Sequence, residues 1–174
     1  MEKKKVQLPL QKEEIKNLEV GDFVLLSGRM YVARDAAHKK FIETIEKGED
    51  LPFNIKGATI YYMGPSPKKP DTVIGSAGPT TSSRMDMYTP TLLNMGLLGM
   101  IGKGKRNDEV INSIKDNEGI YFSTIGGAGA LLSKAIKGQK VLAYEELGAE
   151  ALLEIEVKDF PAIVAIDYKG KSIY

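Results

Sequence analysis

Phe23-Val24-Leu25-Leu26-Ser27-Gly28-Arg29-Met30-Tyr31-Val32-Ala33-Arg34-Asp35-Ala36-Ala37-His38-Lys39-Lys40-Phe41-Ile42-Glu43-Thr44-Ile45 joins a strand pattern to a helix pattern through a charged corner. Phe23 to Leu26 is a continuous apolar run of strand length, and Met30 to Ala33 is a second one. Gly28 between them marks a turn or a bulge, so the pair is either a hairpin or one bent strand. Ala37, Phe41, Ile42 and Ile45 then recur at helical spacing, with Asp35 as the expected N-cap and Gly48 as the stop.

The same succession recurs along the chain. Thr59 to Gly64 reads as a strand, Pro65 to Pro70 as a proline-punctuated loop, and Thr72 to Gly75 as a further strand. Ser76 to Asp86 is rich in glycine and hydroxyls, which core packing does not require. Thr89-Pro90 opens a helix running through Leu92, Leu93, Met95 and Leu97 to Gly99, and Met100 to Gly102 is a short buried strand. Asn107-Asp108 caps a helix containing Val110, Ile111 and Ile114. Ile120 to Ile125 is a strand, and Gly126-Gly127-Ala128-Gly129 leads into a helix from Leu131 to Ile136 with Gly138 past its end. Val141 to Tyr144 is a strand, and Leu152 to Val157 with Ala162 to Tyr168 read as a pair joined around Asp159-Phe160-Pro161. Interleaved strands and helices give an α/β domain with a mixed sheet flanked by helices. Residues 1–20 read as a short helical lead-in and 21–174 as one domain.

Composition bounds the chemistry. The 174 residues carry 24 Lys+Arg against 23 Asp+Glu, one histidine and no cysteine. Without cysteine this chain forms no disulfide, holds no thiolate metal site and has no thiol nucleophile, and one histidine is too few for a multi-histidine metal centre. No metal ligand set is expected here. A net charge of +1 gives no footprint for nucleic acid or an anionic membrane. No apolar run approaches the length of a span, and the charged start leads into no signal-like stretch, so a cytoplasmic protein is expected.

Three strand-to-helix corners carry cations or hydroxyls: Val32-Ala33-Arg34-Asp35, Ser76 to Arg84, and Gly102-Lys103-Gly104-Lys105. In α/β sheets ligands bind beyond the carboxyl ends of parallel strands, where helix N-termini favour anions. Arg34, Arg84 and Lys103 converging there would suit a small dianion, because guanidinium groups hold carboxylates bidentately. Single lysines and arginines are mostly solvated, so the signal lies in their shared placement. Thr80, Thr81, Ser82 and Ser83 either orient a substrate or cap the turn. A serine-hydrolase elbow, a Walker A loop and the Gly-x-Gly-x-x-Gly spacing are all absent. His38 falls one helical turn after Arg34, behind the corner rather than in it.

Taken together, Arg34-Asp35-Ala36-Ala37-His38-Lys39, Gly78-Pro79-Thr80-Thr81-Ser82-Ser83-Arg84-Met85-Asp86, Lys103-Gly104-Lys105-Arg106, Gly126-Gly127-Ala128-Gly129-Ala130-Leu131, Glu145-Glu146-Leu147-Gly148 and Val157-Lys158-Asp159-Phe160-Pro161-Ala162 resemble the β subunit of class I fumarate hydratase and its relative, the L(+)-tartrate dehydratase β subunit. The resemblance implies a swivelling β/β/α domain of the fumarase C-terminal type. It implies a cysteine-bearing α subunit that holds a [4Fe–4S] cluster, and a hetero-oligomer, such as a dimer of αβ units, acting on a small dicarboxylate. Carried over by motif, Arg34, Arg84 and Lys103 would bind substrate carboxylates, Thr80 and Thr81 would line the carbon that exchanges a proton, and Asp35 and His38 would stand behind them. Lys105 occupies a position that is asparagine in many relatives, which leaves open whether Lys103 or Lys105 faces the ligand. Hydration of fumarate to malate, dehydration of tartrate, and a non-catalytic anion-binding regulatory module are the three functions this resemblance allows.

Overall fold

The computed structural model describes residues 2–64, 77–124 and 129–174. The expected proline loop at 65–70, the strand at 72–75 and the glycines at 126–127 lie outside them. The strands are β1 (Lys3–Gln7), β2 (Phe23–Val32), β3 (Thr59–Tyr61), β4 (Gly99–Gly102), β5 (Ile120–Ser123), β6 (Ile136–Ala143) and β7 (Leu152–Ile166); the helices are α1 (Lys12–Ile15), α2 (Asp35–Glu46), α3 (Thr89–Asn94), α4 (Asp108–Asn117) and α5 (Gly129–Leu132). β1 through β5 run parallel in the order of the chain. β7 runs antiparallel to β5 and β6, and also returns to pair with β2. The pairings β2-β3-β4-β5-β7-β2 therefore close into a ring, with β1 and β6 added outside it.

Strand alternation sorts the apolar side chains into two cores. Val24, Leu26, Met30 and Val32 of β2 join Tyr61, Ile101, Phe122 and Val164 in one buried cluster inside the ring. Their neighbours Tyr31, Ile60, Met100, Tyr121 and Ala165 join Phe41 of α2, Leu92 and Leu93 of α3, and Val110 and Ile114 of α4 in the other. The result is a mixed sheet folded on itself with helices packed on its outer face, an α/β architecture.

Four expectations for strands and helices change, the first being that the helix expected to run from Thr89 to Gly99 ends at Asn94, with Gly99 already the first residue of β4. Residues 1–20 are not simply a helical lead-in: Lys3–Gln7 is a strand paired with Phe23–Ser27 of β2, and Val6, Leu8, Leu10, Ile15 and Leu18 are buried in the ring core. Leu152 to Ile166 is one strand rather than two. Asp159 takes a left-handed conformation, φ 52°, and inserts one residue, so Ile155 and Val157 before it and Phe160, Ala162 and Val164 after it face the same core. The bulged Asp159 amide donates to Ser27 Oγ at 3.0 Å. Pro161 sits where β7 has β2 on one side and lies between its pairings with β6 and β5 on the other, so no ladder bond is lost to its missing N–H. Finally, the helix expected to run to Ile136 ends at Leu132, and after a short 3-10 turn Ile136 already begins β6. No helix among the described residues is long and apolar enough to cross a membrane.

Gly28 resolves as a bulge in one bent strand. Its φ is +126°, and a Cβ there would come within 2.6 Å of the Leu8 carbonyl oxygen. Gly28→Ala is expected to cost about 2–4 kcal/mol, from positive-φ strain plus a backbone clash. Gly48→Ala, at φ +71° with nothing within 4 Å of its Cβ position, should cost only about 1 kcal/mol. Urea midpoints of the two variants check this; equal losses would contradict it.

Candidate functional site

The parallel strands deliver their carboxyl ends to one edge, and the loops leaving that edge carry the cations and hydroxyls singled out in the sequence. Arg34 follows β2 and is the N-cap residue of α2, with extended φ/ψ. Asp35, expected as the cap, is the first helical residue instead. The cap is supplied from far along the chain: the Ala36 amide donates to Glu150 Oε1 at 3.1 Å. The Asp35 carboxylate is thereby free to pair with the Arg84 guanidinium. Arg34 Nη2 stands 3.7 Å from Glu150 Oε2, and its buried Nε has no hydrogen-bond partner among the described residues. Gly64, just beyond β3, gives the Arg34 guanidinium room, since a Cβ there would lie 2.6 Å from Nη1.

The hydroxyl loop is threaded between the ends of β3 and β4. The Thr80 amide donates to the Tyr62 carbonyl at 2.8 Å and the Ser82 amide to the Lys103 carbonyl at 3.0 Å. Thr81 and Lys103 form a parallel bridge. Thr81 is exposed, Thr80 and Lys103 are half-buried, and Lys105 is exposed. Arg34, Thr80, Thr81, Arg84 and Lys103 thus stand on adjoining loops of one edge, linked by Asp35. Ser82 is different: fully buried, it fills the space left by Gly102, where a Cβ would meet Ser82 Oγ at 1.9 Å. Its hydroxyl bonds the Tyr121 hydroxyl at 2.7 Å, which also reaches the Gly104 carbonyl at 2.9 Å. Burial pushes the Tyr121 pKa up, so it stays a neutral donor.

Beneath these loops lies a feature the sequence did not disclose. Arg106 is 4% exposed and stacks between the Tyr62 and Tyr121 rings. Its Nε donates to Asp86 Oδ1 at 2.6 Å and its Nη2 to Thr89 Oγ1 at 2.9 Å. The sequence marks Lys103 in this run as a candidate ligand cation and gives Arg106 no role of its own; the pairing with Asp86, twenty residues away in sequence, turns the Arg106 guanidinium inward. Glu150 was equally silent, since its role depends on α2 meeting the 3-10 segment Glu145–Glu150.

A cleft of about 440 Å³ lined by Arg29, Tyr31, Lys56 and Glu156 among others opens at the opposite, N-terminal side of β3. Its two cations, Arg29 and Lys56, face it with Glu156; the carboxyl edge, whose loops carry Arg34, Arg84 and Lys103, is the better candidate because α/β sheets bind ligands beyond the carboxyl ends of parallel strands.

The sequence model of the family described as Fumarase C-terminus matches residues 1–174. This chain belongs to that family. Among curated proteins it is 41% identical over 165 residues to fumarate hydratase 2 of Leishmania major, covering 94% of this chain and 29% of that one. It is 42% identical over 151 residues to the aerobic class I fumarate hydratase of Escherichia coli strain K12, covering 86% of this chain and 28% of that one. With a protein of Methanocaldococcus jannaschii named as an L(+)-tartrate dehydratase subunit beta it shares 40% identity over 171 residues, covering 95% and 88%. The chain spans under a third of these fumarate hydratases and most of the subunit.

His38 is fully buried on α2, against Phe41, Tyr62 and Tyr88. Its Nδ1 donates to the Arg34 carbonyl at 2.8 Å, since a carbonyl only accepts, and Nε2 has no partner among the described residues. Burial pushes its pKa down from 6.5 to about 4, the Arg34 carbonyl opposing and the Arg106 charge assisting. The imidazole is neutral at pH 7 and braces the backbone at Arg34. Because the folded pKa lies below the unfolded one, this contribution to stability is complete above pH 6.5 and is lost as pH falls toward 4, by on the order of 3 kcal/mol. Urea midpoints should decline between pH 6.5 and 5, and the decline should flatten in His38→Asn. The same slope in both proteins would contradict it.

Proposed function

We propose that this chain is the β subunit of a hydro-lyase acting on a small four-carbon dicarboxylate, with reversible hydration of fumarate to malate as the first reading and dehydration of L(+)-tartrate as the second. The observation that carries the proposal is the cationic edge on a domain that nearly fills a protein named as a dehydratase β subunit. The matching part of the fumarate hydratases is less than a third of their length, so the rest of the site is assigned to an α subunit. Under the same proposal the domain is of the swivelling β/β/α type, the enzyme is a hetero-oligomer such as a dimer of αβ units, and it is cytoplasmic.

The [4Fe–4S] cluster of such an enzyme does not fit this chain. There is no cysteine, the described residues hold no grouped set of His, Cys, Asp or Glu of ligand size, and the single histidine is buried with Nδ1 committed to Arg34. We assign the cluster to the α subunit and route no step through it. This chain's own part is electrostatic. Removing a proton α to a carboxylate builds charge on that carboxylate, and fixed cations aimed at it lower the barrier. Arg34, whose guanidinium makes only a loose contact to Glu150, has terminal donors to give; Arg84 is oriented by Asp35; Lys103 has no ion-pair partner among the described residues. Thr80 and Thr81 line the reacting carbon. A threonine hydroxyl is a weak base, so Thr80 passes the proton on to a group of the partner rather than keeping it.

Copurification with a cysteine-bearing α subunit, anaerobic reconstitution and an absorbance assay for fumarate and tartrate test the assignment. Turnover of one of them is expected, and inactivity of both with verified cluster content would overturn it. In the active complex, Arg34→Ala should lower kcat/KM by about 2–4 kcal/mol, roughly 30- to 1000-fold, the scale of a truncated buried charge pair. Lys103→Ala should behave similarly, whereas Lys105→Ala should change kcat/KM less than about twofold, as expected for an exposed rim charge. The reverse order would make Lys105 the ligand group.

A further inference from the structure

We propose that the buried Arg106–Asp86 pair is a positioning device that sets the hydroxyl loop against the Lys103 loop, and that it is retained for alignment rather than for stability. The proposal rests on the hydro-lyase reading, because alignment has meaning only if both loops face one substrate.

Three observations carry it. First, the pair joins the two loops directly. Asp86 ends the 3-10 turn Ser82–Met85 that carries Arg84, and Arg106 ends the run that carries Lys103. Second, the carboxylate is held from both sides. Oδ1 takes Arg106 Nε at 2.6 Å and Oδ2 takes the Asn107 amide at 2.9 Å, while Asn107 Oδ1 caps α4 through the Val110 amide at 2.9 Å. Arg106 Nη2 reaches Thr89 Oγ1, the first residue of α3, and Thr89 Oγ1 donates back to the Met85 carbonyl at 2.8 Å. The starts of two helices and both loops are therefore indexed to one guanidinium. Third, neither side chain can touch a ligand: Arg106 is 4% and Asp86 7% exposed.

A buried ion pair is a poor adhesive, because desolvation offsets most of its Coulombic gain and an apolar replacement is often as stable. The slot between the Tyr62 and Tyr121 rings would accept an aliphatic side chain without that cost. An aliphatic group has no direction, however, and could not fix the angle between the loops. Bonds from Nε and Nη2 of one planar group do fix it. Displacements of about 1 Å at reacting groups can cost on the order of 100-fold in rate, so a device of this kind acts on turnover.

Arg106→Lys keeps the charge but loses the planar fork. In the reconstituted complex kcat is expected to fall at least about tenfold and KM to rise by a smaller factor, because Arg84 and Lys103 sit on the loosened loops while Arg34 lies outside the clamp and still binds the dicarboxylate. In the full chain, amide exchange at Ser82 and Asn107 should rise together while β2 keeps its protection. If the lysine variant does not fold, Asp86→Asn, which preserves shape and an acceptor for the Asn107 amide, is put through the same measurements with the same expectations. A kcat within twofold of wild type despite loosened loops would overturn the proposal, as would a pure rise in KM or a loss confined to thermal stability. Should the wild-type complex turn over neither dicarboxylate, the hydro-lyase reading fails on its own account. The clamp is then decided by exchange alone: a joint rise at Ser82 and Asn107 supports it, and unchanged or independent exchange overturns it.

Discussion

β7 has to satisfy β2 along one edge and two different strands, β6 and then β5, along the other. Every other placement in the fold follows from that demand. Because β7 returns to β2, the parallel run β2-β3-β4-β5 cannot spread as an open sheet and is drawn into a ring. Because the ring has one inside, alternate residues of each strand must be apolar twice over, once for the ring core and once for the helices outside. The bulge at Asp159 is the adjustment that lets a fifteen-residue strand keep its inward face while changing partner. Ser27 Oγ, receiving the Asp159 amide, shows that β2 accommodates it.

Much of this was legible in the sequence where the signal was local. The β2–α2 succession, the strand at Ile120 and the Asn107 cap of α4 follow from apolar periodicity and cap chemistry, and the structure has them. Asp159-Phe160-Pro161 misled because proline and a turn-forming aspartate announce a break between strands. Pairing with β2, which no local pattern records, overrides that signal. Lys3 to Gln7 misled in the opposite way. Only Val6 of its five residues is buried, so an edge strand with lysines on it shows no alternation to read. The exposed lysines are also what discourages a further strand from adding there.

The site divides along the same line. That Arg34, the hydroxyl loop and Lys103 belong to one edge is visible as three strand-to-helix corners, because parallel strands send their carboxyl ends the same way. The groups that hold those residues are not visible, since each acts across a long sequence separation. Glu150 caps α2 from 114 residues away, Asp35 meets Arg84 across 49, and Asp86 meets Arg106 across 20. Cap chemistry assigned Asp35 to its own helix, and the structure gives that duty to Glu150 so that Asp35 can face Arg84.

The charge at the edge explains why one chain would be insufficient for the chemistry proposed. Arg34, Arg84 and Lys103 stand there with Asp35 and Glu150 among them, so three cations against two carboxylates leave one net positive charge from these five groups. A dicarboxylate brings two negative charges and must compete with Asp35 for Arg84. Firm binding then needs further positive charge or hydrogen-bond donors from outside this set, and a partner closing over the edge would also raise the strength of every ion pair there by excluding water. Thr81 is exposed and Thr80, Lys103 and Arg34 are half-buried, so their own chain leaves them accessible, as the proposed partner would require. A near-neutral protein with a weakly positive edge is what half of a shared dianion site should look like.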